Sequence, residues 1–339
     1  MTRARSTIDS PRPDWLDQLR EEIIEPDLPI IDPHHHLWTR HDGYLLDDIL
    51  ADAGDGHDVV ATVFVQCRYA HRTDGPVPLQ PVGETEAVRA IAEAGEARPG
   101  APRIAAGIVG FADLTLGDAV DEVLEAHIAA AGGRFRGIRH ITANEPSFES
   151  ALLPVDPGIM ASAPFRAGFA RLAAQGLSYD SWLYHPQIPQ LTDLARAFPD
   201  TAIVLDHVGG PLGIGRFTGL EREVFDSWKR ALTDLATCPN VSVKLGGLGM
   251  DITGVTWARN PQPPGSQEMA DRFRPYVETA IELFGPSRCM FESNFPVDKV
   301  SSSYHVLFNA FKRLASGASD DEKRLLFHDT AARVYRLSL

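Results

Sequence analysis

Short apolar runs alternate with longer mixed stretches along most of the chain. The short runs are 28–36 (LPIIDPHHH), 58–66 (DVVATVFVQ), 103–109 (RIAAGIV), 134–141 (RFRGIRHI), 177–184 (LSYDSWLY), 201–207 (TAIVLDH), 240–245 (NVSVKL) and 288–294 (RCMFESN). Their length, their β-branched content and the turn residues around them predict eight strands. Helical patterns lie between most of them, at 84–97, 118–131, 164–175, 189–198, 220–236 and 267–284. Two more, 303–316 and 320–337, close the chain. Stop signals follow several: Pro99, Gly132-Gly133 and Gly285-Pro286. Residues 1–27 are polar and contain Pro11, Pro13 and Pro26, with a short helix expected at 14–24.

Strands that alternate with helices imply βαβ units and a parallel sheet. Eight such units predict a single (β/α)8 TIM barrel over 28–339, preceded by a short N-terminal extension at 1–27. The rival is an open doubly wound sheet, and no GxGxxG follows the first strand to support it. Loops are expected at 209–219 and at the Pro-rich 257–265, the second long enough to cover a site.

Composition narrows the class. The chain has 339 residues, 44% hydrophobic and 23% charged, as ordinary globular proteins do. A net charge of −14 leaves phosphate repulsion uncompensated and argues against nucleic acid. Cys67, Cys238 and Cys289 are odd in number and far apart, so no disulfide framework is expected. The first residues lack the apolar core of a secretory signal, and no apolar run is long enough to span a bilayer. A cytoplasmic protein that uses no membrane and no organic cofactor is expected, with a small molecule as its substrate.

In such a barrel, chemistry sits where strands end and the following loops begin. Strand one ends in Asp32-Pro33-His34-His35-His36. Alternation puts His34 and His36 on one face, with Asp32 in register below them and His35 opposed. Later strand ends carry Gln66, Cys67 and Arg68; Arg139 and His140; Tyr184 and His185; Asp206 and His207; Lys244; and Glu292-Ser293-Asn294. Any one histidine after a strand is more often a satisfied loop or core residue than a ligand. Five at one predicted face favour a site. Tyr179 and Asp180 share strand five, and one of them is expected to point inward. Cys67 reads as a buried structural thiol rather than a nucleophile.

The Asp32-x-His34-x-His36 opening, Gly137-Ile-Arg139-His140, Asp206-His207-Val-Gly-Gly-Pro211, Val243-Lys244-Leu-Gly-Gly-Leu248 and Met290-Phe-Glu-Ser-Asn294-Phe-Pro296 occur in that order. Together they resemble the amidohydrolase-2 branch of the amidohydrolase superfamily, over about 28–337. Within that branch the chain is most similar to lactonase-like barrel hydrolases. The resemblance implies hydrolysis of a cyclic ester or related acyl bond at the C-terminal face of the barrel. It maps the paired histidines to His34 and His36 and the strand-six histidine to His207. It implies a divalent metal, zinc or manganese, held by His34, His36 and His207 with His185 in reserve. The alternative it leaves open is metal-free polarisation of a carbonyl by the histidines. It also admits a homo-oligomer.

The chain departs from that pattern at strand eight. The usual motif there is Gly-Ser-Asp-Trp-Pro, whose Asp is a ligand or general base. This chain has Asn294 in the Asp position and Glu292 in the Gly position. An amide cannot take a proton from water at neutral pH. Glu292 is therefore expected to restore the carboxylate, with Asn294 orienting water or substrate. The bland rival is an interior ion pair of Glu292 with Arg139 or Lys244, and Asp298 is a third candidate carboxylate. His207 and Lys244 complete the expected catalytic set. Arg139, His140, Trp38, Tyr184, His185 and Arg68 are the expected substrate contacts. Two other functions compete with lactone hydrolysis: metal-dependent non-oxidative decarboxylation, and a barrel that binds a ligand without turning it over.

Overall fold

The computed structural model describes residues 4–338. Eight parallel strands form one sheet: β1 (Ile30–His35), β2 (Val59–Val65), β3 (Arg103–Gly110), β4 (Phe135–Arg139), β5 (Ser178–Ser181), β6 (Ile203–Leu205), β7 (Val241–Leu245) and β8 (Cys289–Phe291). They are hydrogen-bonded in chain order, β1 to β8. The circle closes just beyond β8. There the Asn294 N–H donates to the His34 carbonyl (2.9 Å) and the His36 N–H to the Phe295 carbonyl (2.7 Å).

One principal helix follows each strand: α1 (Leu46–Ala53), α2 (Val82–Glu96), α3 (Val120–Ala130), α4 (Ala163–Ala174), α5 (Ile188–Ala197), α6 (Glu221–Ala236), α7 (Ser266–Phe284) and α8 (Tyr304–Leu314). These helices cover the outer face of the sheet. In α6 the inward face is Val224, Trp228, Leu232 and Leu235, the spacing of one helical stripe. Because helices cover one face and the barrel interior the other, strands such as β2 (VVATVFV) are apolar almost throughout.

The core divides accordingly. A large outer cluster lies between sheet and helices. A smaller inner one holds Ile31, Val63, Val109, Val204 and Met290 with Ala331, Val334 and Tyr335 from the C-terminal segment. That segment plugs the barrel. The helix expected at 320–337 runs from Asp320 to Val334, with a π turn at Leu325–Asp329 in its middle. The helix expected at 14–24 shrinks to Pro13–Leu16. Helix α1 was not expected; it is short and carries three aspartates.

Residues 4–15 run across loops on the C-terminal side of the barrel. Ala4–Arg5 pairs in parallel with Phe148–Glu149 in the loop after β4. The Ser6 hydroxyl and Thr7 N–H donate to the Asp251 carboxylate (3.1 and 2.9 Å), and Trp15 Nε1 donates to the Asn260 carbonyl (3.0 Å), both in the loop after β7. Beneath this strap a separate apolar cluster joins Ala143, Phe148, Trp182, Tyr184, Leu212 and Ile252 from four loops.

Candidate active site

The site begins with a bulge in β1. Register shifts between Asp32 and His35, where Pro33 cannot donate to the ladder. His34 and His36 share the interior face, with ring centroids 4.9 Å apart. His35 points away, against Phe64 and the Thr62 hydroxyl (2.9 Å). Asp32 does not lie below the histidines as expected. The bulge turns it to the seam, where it accepts from the Ser293 N–H (2.9 Å) and hydroxyl (2.6 Å) and from the Tyr304 hydroxyl (3.1 Å). Burial raises its carboxyl to about 6, against the pull of those donors.

Glu292, just past β8, forms the far wall. Its Oε1 accepts from His207 Nδ1 (2.7 Å) and from the His207 N–H (3.0 Å). Its Oε2 lies 2.7 Å from His34 Nδ1, yet no hydrogen bond is aligned on it. The rival arrangement, an ion pair of Glu292 with Arg139 or Lys244, is not formed. Those cations belong to other carboxylates. The Lys244 ammonium contacts Asp180 (2.7 Å) and Asp206 (3.0 Å), and the Tyr335 hydroxyl donates to Asp180 (2.6 Å). Arg139 meets Asp206 at 3.3 Å and donates to the Gln66 carbonyl. His34 sits between the two cations, Lys244 at Nδ1 and Arg139 at Nε2, each at 3.3 Å.

These groups are almost wholly buried, so their charges act on one another in a low dielectric. Burial, with Lys244, His207, His36 and Arg139, holds the His34 pKa well below its ordinary value. Burial and Arg139 do the same for His36, whose Nδ1 is fixed on the Val65 carbonyl (2.7 Å). Both rings are therefore neutral near pH 7. Burial opposes charge on Lys244, but Asp180, Asp206 and Glu292 outweigh it and raise its pKa. Burial also opposes ionisation of Asp206, and Lys244, Arg139 and His207 overcome it. Three carboxyl groups, those of Asp180, Asp206 and Glu292, are thus gathered with the two cations Arg139 and Lys244.

Backbone geometry makes this packing feasible. His207, Val208, Gly209 and Gly210 all have positive φ, so the chain turns sharply after β6 and returns the His207 ring to the barrel axis. The turn after β7 lies against that ring. A Cβ at Gly247 (φ +66°) would come within 2.4 Å of His207 Cγ, and one at Gly246 within 2.4 Å of Glu292 Cγ. Trp182 packs edge-on to His207 (4.5 Å), and Trp38 stacks on His36 (5.8 Å) beneath the Arg40 guanidinium.

Of the residues singled out in the sequence, His34, His36, Arg139, His207, Lys244 and Glu292 meet here, with Trp38 at the side. Asn294 is buried, left-handed (φ +56°) and has no partner for its Nδ2. Four others lie elsewhere. His140 accepts from the Leu114 N–H (3.3 Å) between Phe111 and Phe165. His185 accepts from the Leu212 N–H (3.3 Å) against Phe217. Tyr184 joins the apolar cluster under the strap, its hydroxyl 3.3 Å from Ser150. Arg68 is exposed on the loop after β2. The Cys67 thiol donates to the Leu37 carbonyl (3.2 Å), and burial pushes its pKa up, as suits a structural thiol.

Sequence reasoning assigned no role to Asp206, Trp182 or Tyr335. Asp206 adjoins His207, and its charge at the end of an apolar strand was a usable signal. Tyr335 is far from every strand end and had none.

Among the described residues, His34, Asp206 and His207 each offer one ligand atom, all within 4.8 Å of one another. Asp206 thus stands where the resemblance placed His36. The set suits a divalent cation on three counts. The His34 ring is neutral, as ligation requires. Three carboxyl groups stand with two cations around it. Glu292 Oε2 is buried without a hydrogen-bond partner. No helix among the described residues is long and apolar enough to cross a membrane.

Known proteins resemble this chain over most of its length. An uncharacterised protein, y4mH of Sinorhizobium fredii, is 37% identical over 338 residues, covering 92% of this chain and 99% of its own. An L-fucono-1,5-lactonase of Burkholderia multivorans is 31% identical over 240 residues, covering 69% of this chain and 72% of its own. A crystal structure of an amidohydrolase from Burkholderia multivorans with bound zinc superposes with a TM-score of 0.71 at 26% identity, covering 91% of this chain and 99% of that one. The amidohydrolase family model matches residues 31–337, and the chain belongs to that family of enzymes.

Proposed function

We propose that this enzyme hydrolyses a small lactone at the C-terminal mouth of the barrel. The observation that carries the reading is Glu292. A buried carboxylate bound to His207 faces two cations across the pocket, although the usual strand-eight aspartate is an amide. The lactonase names of relatives support the substrate class, and a polyhydroxylated sugar-acid lactone is the form we infer.

Glu292 Oε2, free of hydrogen bonds, takes the proton of the attacking water. His207 holds Oε1 and so fixes the carboxylate's direction. Arg139, whose Nε is unpartnered, binds the oxygen on which negative charge develops. Lys244 is spent on Asp180 and Asp206 and acts by setting the charge of the pocket. A zinc or manganese ion held by His34, Asp206 and His207 would supply Lewis-acid polarisation of the carbonyl. Trp38 and Trp182 wall the pocket and exclude water around the reacting ester.

Two measurements test this. A panel of sugar-acid lactones should be opened to hydroxy acids, followed as acid release. Inactivity across the panel sinks the lactone reading. Elemental analysis of protein purified without a His-tag or chelator should find stoichiometric zinc or manganese, and metal-free active enzyme would remove the ion from the mechanism.

A further inference from the structure

A buried acid stands behind the loop that follows β2. Glu84, in the first turn of α2, is 1% exposed. Its Oε1 accepts from the Cys67 N–H (2.9 Å) and from the Tyr69 N–H (2.7 Å). The loop it grips takes left-handed backbone at Arg68 (φ +68°) and Ala70 (φ +50°), which persists only where the surroundings fix it. Helix α2 begins hard against that loop, and a Cβ at Gly83 would come within 2.6 Å of the Ala70 carbonyl oxygen. Arg40 holds the other side. It donates to the Cys67 carbonyl (3.0 Å), with its guanidinium over Trp38.

The Cys67 N–H and the Gln66 carbonyl belong to one planar peptide, whose two ends point in opposite directions. Glu84 holds the N–H end, and Arg139 Nη2 donates to the carbonyl end. Fixing the first therefore fixes where the second is aimed. The guanidinium is a rigid fork, so anchoring Nη2 orients the rest of it. Its Nη1 lies 3.3 Å from both His34 Nε2 and Asp206 Oδ2, and its Nε is unpartnered.

We propose that Glu84 is a positioning residue, which aims the Arg139 guanidinium into the pocket through the Gln66–Cys67 peptide. The assignment rests on the lactone-hydrolysis reading, in which Arg139 binds the oxygen where negative charge develops. Glu84 itself touches no reacting atom. Burial raises its carboxyl to about 7, against the two N–H donors and Arg139. Oε1 accepts hydrogen bonds whether or not Oε2 carries a proton, so the grip does not depend on charge. A glutamine should therefore keep it. The Glu84 Oε2 position faces His71 Nε2 at 3.9 Å, also unpartnered, which can accept from the new amide.

The test is a double-mutant cycle between Glu84 and Arg139 in the whole enzyme, read on an aldonolactone. Glu84→Ala should lower kcat by about 10²-fold, as misplacing a catalytic group does. KM should stay within about threefold, since the lost contact forms in the transition state. Arg139→Lys keeps a cation beside Asp206 but lacks the fork, and should lower kcat by about 10²–10³-fold. On that background Glu84→Ala should cost less than about threefold more, because the two residues act as one unit. Glu84→Gln should recover most of the wild-type kcat. Equal losses from Glu84→Ala on both backgrounds, an unchanged kcat, or a loss borne by KM alone overturns the assignment. Thermal unfolding checks that each variant is folded. If Glu84→Ala is not, Glu84→Asp, whose carboxyl falls a methylene short of the two amides, carries the same cycle. Crystal structures provide a readout without substrate. Arg139 should leave the Gln66 carbonyl in the Ala or Asp variant and stay on it in Glu84→Gln, and an unmoved Arg139 in the former overturns the assignment. A wild type inactive on every lactone sinks the lactone reading, and the crystal structures still decide whether Glu84 aims Arg139.

Discussion

Glu292 and Lys244 sit in the same pocket and answer to different tests. Replacing Glu292 with Gln keeps its size but removes its proton affinity. Turnover should fall by about 10²–10⁴-fold with the melting temperature little changed. Retained turnover would return the base assignment to another group. Lys244→Met leaves Asp180 and Asp206 buried without their ammonium. Denaturant unfolding should show a loss of about 3–5 kcal/mol, the usual cost of breaking a buried pair on one side. At this scale the strand-one histidines were legible because strand alternation fixes which residues share a face. His140, His185 and Tyr184 sit at strand ends as expected, but each turns to a loop or helix, because backbone direction past a strand end is not periodic. The partners of Lys244 were illegible, since they come from β5 and the end of β6, and only the register of three neighbouring strands brings them together.

Elements explain why the loops after β6, β7 and β8 carry so much. Expected strands ran too long at 177–184, 201–207 and 288–294. The site residues lie past the pleated segments, where His207 and Asn294 take left-handed backbone. Gly247→Ala adds a Cβ both strained at φ +66° and in collision with the His207 ring. The variant should be less stable by about 1–3 kcal/mol and lose most of its turnover, read by unfolding and activity in parallel. The N-terminal strap has its own test. Asp251→Ala removes the acceptor of Ser6 and Thr7. Limited proteolysis should then cut within residues 4–15 sooner than in the wild type, and equal cleavage rates would show that the strand pair with Phe148–Glu149 suffices.

For the whole molecule the barrel was legible as eight alternations, whereas the C-terminal plug and the strap were not, because neither follows a repeating pattern. Buried neutral histidines set the molecule's acid limit. Burial lowers His35 and His127 to about 4, from 6.5. Below pH 6.5 the unfolded chain binds protons that these rings refuse in the fold. Their contribution is therefore complete above pH 6.5 and is lost as pH falls toward 4, on the order of 3 kcal/mol each. Urea unfolding across that range should show stability falling steeply with acid, and His127→Gln should flatten the slope.

The closing seam has a consequence for motion. Its two backbone hydrogen bonds, from Asn294 to His34 and from His36 to Phe295, join the residues that carry His34 to those that follow Glu292. Any breathing of the barrel at that joint parts the two walls of the pocket in the same event. The amides of His36 and Asn294 should therefore exchange with deuterium as one unit, and ligands that bridge His34 and Glu292 should slow both together.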